Sequence, residues 1–123
     1  MKKKYVITIL IILILILLIF GFYKGFKHYQ KKVTFEVINL QLEKKNFDED
    51  IVKKKEQYDS KRGVYYYSIV YKKENNITYI TELDEDPTVM NIISFKNKSH
   101  EIYSYPVDKH GNEIQRHTKY QID

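Results

Sequence analysis

Between Lys4 and Lys24 the chain carries no charge for 19 residues, Tyr5 to Tyr23, and apart from the two terminal tyrosines Thr8 is the only hydroxyl among them. Wound as an α-helix at about 1.5 Å per residue, this run spans roughly 28 Å, close to the hydrocarbon thickness of a bilayer at about 30 Å. Its seven Ile and five Leu, at about −0.5 kcal/mol each, sum to an insertion free energy on the order of −6 kcal/mol, with no Asp, Lys or Arg to oppose it. Tyr5 and Tyr23 stand where amphipathic rings settle at membrane interfaces. The helix would be apolar on every face, which argues against one lying flat on a membrane.

A cleaved signal peptide needs a shorter apolar region and small residues in an Ala-x-Ala-like pattern. The sequence contains no Ala, and no Cys that could carry a lipid. An uncleaved signal-anchor is therefore expected, late cleavage near Gly21 or Gly25 being the alternative. Lys2, Lys3, Lys4 and the amino terminus balance Lys24, Lys27, Lys31 and Lys32 on the far side, so the positive-inside rule gives a tie. A short Lys-rich start running directly into the apolar stretch favours export of the C-terminal part. The expected order is a cytoplasmic N-terminus at 1–4, a transmembrane helix at 5–23, a basic juxtamembrane neck at 24–32 and an extracytoplasmic domain at 33–123, in a single-pass protein of the cell membrane.

The net charge of +5 belongs to the membrane flanks. Residues 1–32 hold seven Lys and no acid, whereas residues 46–123 hold ten Lys and two Arg against fourteen Asp and Glu, 12 − 14 = −2. The flanking lysines suit anionic lipid headgroups, and a weakly acidic C-terminal part speaks against nucleic acid as a partner.

Past the neck, where Gly25 permits a bend, the chain is long enough for one small domain. "VTFEVINLQLEKKN" reads as a helix, with Val33, Val37 and Leu40 on one face and Phe35, Ile38 and Leu42 beside it; Asn46 is a candidate left-handed terminator. The period then changes to two. "VYYYSIVY" places Tyr65, Tyr67, Ile69 and Tyr71 on one face of a strand and Val64, Tyr66, Ser68 and Val70 on the other, and after a "KENN" turn Ile77, Tyr79, Thr81 and Leu83 alternate on the return strand. "MNIISF" and "HEIYSYPV" read as a second hairpin, and "EIQRHTKY" as a short edge strand. The predicted class is α+β: one N-terminal transmembrane helix, then a helix packed on a small antiparallel β-sheet.

"LEKKNFDEDI" and "YDSKRGVYYYSIVYK", behind a Lys-rich start and one apolar helix, resemble the small N-terminally anchored proteins of low-G+C Gram-positive bacteria grouped as a domain of unknown function. The resemblance covers roughly residues 1–83. It implies an uncharacterised cell-envelope protein and supplies no catalytic residues.

Catalysis finds no foothold in the pattern. No G-x-S-x-G elbow or Gly-rich phosphate loop can be built from glycines at 21, 25, 63 and 111, and the absence of Cys removes thiol chemistry. His100, His110 and His117 match no compact metal spacing and are expected as surface residues; Asp48–Asp50 and Asp84–Asp86 lack the calcium-loop arrangement. No catalytic residue, cofactor, metal or small-molecule substrate is expected. The conspicuous excess is tyrosine. Tyr65, Tyr67, Tyr71, Tyr79, Tyr103 and Tyr105 are the candidate partner-binding residues, each offering broad contact area with a polar tip; the competing reading makes them half-buried sheet residues beneath the helix. The expected function is a non-catalytic binding domain for an envelope or secreted protein partner, held at the lipid bilayer. The alternative is a small subunit or regulator of a membrane complex acting through its transmembrane helix.

Overall fold

The computed structural model describes residues 2–123; Met1, the first residue of the expected cytoplasmic N-terminus, lies outside them. A single helix, α1 (Lys2–Lys44), is followed by β1 (Ile51–Asp59), β2 (Val64–Tyr71), β3 (Thr78–Leu83) and β4 (Ile102–Val107). The four strands form one antiparallel sheet in sequential order, consistent with the α+β class.

α1 passes without interruption through the basic neck, where Gly25 permits a bend. Nothing there breaks it: the stretch holds no proline, Gly25 costs a helix only about 1 kcal/mol relative to alanine, and the lysines around it are good helix formers. The N-terminal half of α1 is long and apolar enough to cross a membrane, and none of its side chains is covered by the rest of the chain. Its one internal hydroxyl, Thr8, donates to the Lys4 carbonyl at 2.8 Å, so the apolar stretch presents no unpaired polar group. From residue 30 onward the helix serves a different purpose. Gln30, Thr34, Ile38 and Leu42, spaced by four, form a buried stripe with Val33 and Phe35 alongside. Leu40, expected on the core face, is exposed.

The helix ends in a Schellman motif. Asn46 adopts φ 61°, its N–H donates to the Glu43 carbonyl at 3.1 Å, and the Phe47 N–H reaches back to the Leu42 carbonyl at 3.0 Å. Phe47 then packs against the core cluster that contains Leu42, in keeping with the hydrophobic contact that often accompanies this cap. The chain reverses into β1, which runs back beside the helix until Tyr58 accepts a hydrogen bond from Lys27 Nζ at 3.1 Å. The β1–β2 turn closes on Gly63 at φ 68°, and the Asp59 carboxylate caps it by accepting from the Lys61 and Arg62 N–H groups.

Tyr67, Ile69, Tyr71, Tyr79, Leu83 and Ile102 project from the sheet onto the helix stripe and are buried. Two expected strands are absent. Residues 90–94 form turns leading into a short 3-10 helix, Phe95–Asn97, because β4 already occupies the edge of β3 that a 90–95 strand would need. The C-terminal tail touches β4 only at isolated bridges, Ser104 with Ile122 and Val107 with Glu113. It is held instead by Tyr120, whose ring stacks on Tyr71 at 3.8 Å and 7° and meets Phe47 edge-on at 5.0 Å. The Tyr120 hydroxyl donates to Asp50 at 2.7 Å. Both sheet edges are thereby protected, β4 by the tail and β1 by Lys53, Lys54 and Lys55.

His100 also departs from expectation. It is buried rather than on the surface, stacked on Phe95 at 4.0 Å with Nε2 against the Phe95 carbonyl. His110 and His117 are exposed.

Candidate functional site: the open face of the sheet

The sheet's second face carries no helix. Lys55, Ser68, Ile80 and Tyr105 form one cross-strand row on it, Gln57 pairs with Tyr66, and Glu82 pairs with Tyr103. Between them lies a shallow depression of about 220 Å³ lined by Asp59, Arg62, Tyr66, Ile80, Tyr105, Val107 and Gly111. Arg62 spans its upper edge, donating from Nε to Asp59 and from Nη2 to Glu82, both at 2.8 Å. The Arg62 guanidinium holds the Asp59 carboxyl below its usual range. Burial, and then the Glu82 carboxylate, push the Tyr105 phenol up. An arginine bracketed by two carboxylates has its charge matched locally, which leaves the tyrosine rings and the apolar floor of Val107 and Ile80 as the contact chemistry.

Of the six tyrosines singled out by sequence, the structure brings only Tyr103 and Tyr105 to this face. Tyr103 is 44% exposed. Tyr67, Tyr71 and Tyr79 are core residues, at 5%, 0% and 0% exposure, and no partner can reach them in this fold. The physical reason is that β2 and β3 turn their odd-numbered residues toward the helix, where large rings fill the space between the two layers. Tyr79 spends its hydroxyl on Glu74 at 2.8 Å, and Tyr67 accepts from Asn39 at 3.2 Å. Tyr65 is half-buried on the helix side, packed edge-on against Phe35 at 5.9 Å. Tyr66 is the open-face residue that belongs with Tyr103 and Tyr105. The alternation of "VYYYSIVY" contains that assignment once it is known which face the helix covers.

Among the described residues no three His, Asp or Glu side chains are placed to hold a metal ion. Of the two acidic turns, the one at Asp84–Asp86 has a marked electrostatic anomaly. Burial, reinforced by Glu82 and opposed by Arg62, pushes Asp86 up to about 6 from an ordinary 3.8, and its Oδ1 is buried with no hydrogen-bond partner. A carboxyl whose folded pKa lies above its unfolded one binds its proton more tightly in the native state, so stability falls as pH rises from about 4 to about 6. Asp86→Asn is expected to remove that slope and to melt higher than the parent at pH 7, with little difference at pH 3.5. Thermal melts across this range check both the sign and the window.

No curated protein and no solved structure gives a significant match to the chain. A family model does match, over residues 2–81, which takes in all of α1, β1 and β2 and most of β3. A helix apolar enough to cross a membrane, continuous with an α+β domain, is thus the arrangement within which that match falls. The chain belongs to the family described as protein of unknown function DUF3139.

Proposed function

We propose that this protein is a single-pass, bilayer-anchored binding module of the cell envelope. It displays its small α+β domain on the extracytoplasmic side and contacts an envelope or secreted protein through the open sheet face, without catalysis. The observation that carries the reading is the division of labour along α1: residues 5–23 are bare and apolar, while Gln30, Val33, Thr34, Phe35, Ile38 and Leu42 are buried in the domain's own core. A hinge-free helix of this kind couples the domain rigidly to its anchor, and the segment 24–44 extends about 31 Å beyond the apolar run. That geometry suits a surface held at a fixed height for another macromolecule. The Lys-rich start ahead of the apolar run supports export of the domain. The open face offers aromatic area with polar tips, the composition favoured at protein interfaces.

Photo-crosslinking in living cells tests this. With a photoreactive amino acid at Tyr66 or Tyr103, the expected result is a discrete adduct, lost when Tyr105 is changed to alanine. Adducts arising from Ile14 and not from the sheet would instead support a subunit that works through its transmembrane helix.

A further inference from the structure

The strand directions place two connections at the same end of the domain. β1 finishes, and β2 begins, beside Lys27, near the apolar half of α1. β2 then runs away to Tyr71, which packs with Phe47 beyond the far end of the helix, and β3 returns. The β3–β4 connection, residues 84–101, therefore starts at the anchor end as well. An independent contact fixes its height: Gln30, buried in the helix stripe, donates from Nε2 to the Pro87 carbonyl at 2.8 Å. Gln30 lies seven residues past Tyr23, about 10 Å along the helix axis.

At this point the connection presents apolar side chains to the outside. Val89 is 55% exposed, Met90 94% and Ile93 93%. Outside the apolar run of α1, no other large hydrophobic residue among those described approaches the exposure of the last two. Leaving such side chains in water forgoes about 1.5–3 kcal/mol each. The turn that carries them is built. Thr88 donates its N–H to Asn91 Oδ1 at 2.6 Å, and Asn91 Nδ2 donates to the Asp86 carbonyl at 3.0 Å and to Glu85 at 3.3 Å. The apolar residues are thus held out on an ordered loop.

We propose that Val89, Met90 and Ile93 enter the interfacial layer of the same bilayer that α1 spans, giving the domain a second point of membrane attachment. The inference rests on the transmembrane reading of α1. The reach is sufficient. The headgroup layer covers roughly 5–7 Å of the about 10 Å that separates the end of the apolar run from Gln30, which leaves only a short gap for the turn and its side chains. A helix tilt of about 20° toward the loop, ordinary for a membrane span, deepens the contact. Charge at this end is mixed. Lys24, Lys27 and Lys61 favour anionic headgroups, and Asp84, Glu85 and Asp86 oppose them, Glu85 being engaged by Asn91 and Asp84 lying 3.8 Å from His100. The apolar contact supplies the net attraction. Two attachment points fix rotation about the helix axis, so that the strands, which run along that axis, stand upright on the membrane and the open face looks sideways along it.

The chain has no cysteine, so single-cysteine probes are clean. The full-length protein is reconstituted in phosphatidylcholine–phosphatidylglycerol vesicles with an environment-sensitive fluorophore at Met90→Cys. References are Ile14→Cys in the helix and His110→Cys at the far end of the sheet. Quenching by lipids spin-labelled near the headgroup is expected to be at least threefold stronger at position 90 than at 110. Met90 probes that behave like position 110, while position 14 is quenched by deep spin labels, overturn the proposal and leave the anchor standing. An unquenched position 14 removes the transmembrane reading and the proposal together. A blue shift at 90 without lipid quenching would assign the loop to a second protein surface and also overturn it. To show that the dye is not the driver, a label at Ser94→Cys is expected to lose its headgroup quenching in the Met90→Asp/Ile93→Asp variant.

Discussion

Tyr71→Ala is expected to destabilise the domain by about 3–5 kcal/mol, the range for removing a large ring from a packed core. Tyr71 is fully buried, stacked on Tyr120 at 3.8 Å and edge-on to Phe47 and Tyr79 at 6.0 and 5.3 Å. It joins β2, β3, the residue after the helix cap and the C-terminal tail in one cluster. Against a total stability of about 5–15 kcal/mol for a domain, this loss threatens folding outright. Tyr71→Phe has a different expectation. The hydroxyl is buried without a partner, and removing an unpaired buried polar group is neutral or stabilising. Burial has also pushed its pKa up, in keeping with a phenol that stays neutral. Urea unfolding of the full chain in nanodiscs, followed by tyrosine near-ultraviolet circular dichroism, reads both variants. Equal losses for the alanine and phenylalanine variants would mean that the hydroxyl, and not the ring packing, matters at this position.

The second large effect concerns membrane insertion, and it is a threshold. The apolar run inserts with roughly −6 kcal/mol, and an aspartate near the centre of the helix costs about 2.5–3.5 kcal/mol. Leu13→Asp alone should leave insertion favourable by roughly 2–3 kcal/mol, and the protein in the membrane fraction. Leu13→Asp combined with Leu15→Asp should bring the balance to about zero or above and release most of the chain from alkaline-washed membranes. Release by the single substitution, or retention of the double variant, would contradict the assigned span. The domain core begins at Gln30, so neither change touches its packing.

Legibility in the sequence followed the strength of local periodicity. The apolar run and the alternation of β2 and β3 are each set by side chains acting in one element, and each reads directly. Asn46 was readable as a helix terminator because few residue types accept a positive φ. The unbroken helix was less accessible, since Gly25 permits a bend and only the context of α1 determines that none occurs. Residues 90–95 have strand composition, but their fate depends on which edge of β3 is free, a non-local matter. The tyrosines show the same limit most clearly. Composition revealed their excess, yet the assignment of Tyr71 and Tyr79 to the core and Tyr66, Tyr103 and Tyr105 to the open face needed the position of the helix. Tyr120, at the end of a stretch that reads as an edge strand, gave no local signal of its stack with Tyr71.

The side of the membrane on which the domain stands can be read from an exposed serine in the β3–β4 connection. In a Ser99→Cys variant, otherwise free of cysteine, a membrane-impermeant maleimide applied to intact cells is expected to label the protein to the same extent as in lysed cells. Labelling that appears only after lysis would contradict the extracytoplasmic placement and make the domain a cytoplasmic one tethered to the membrane.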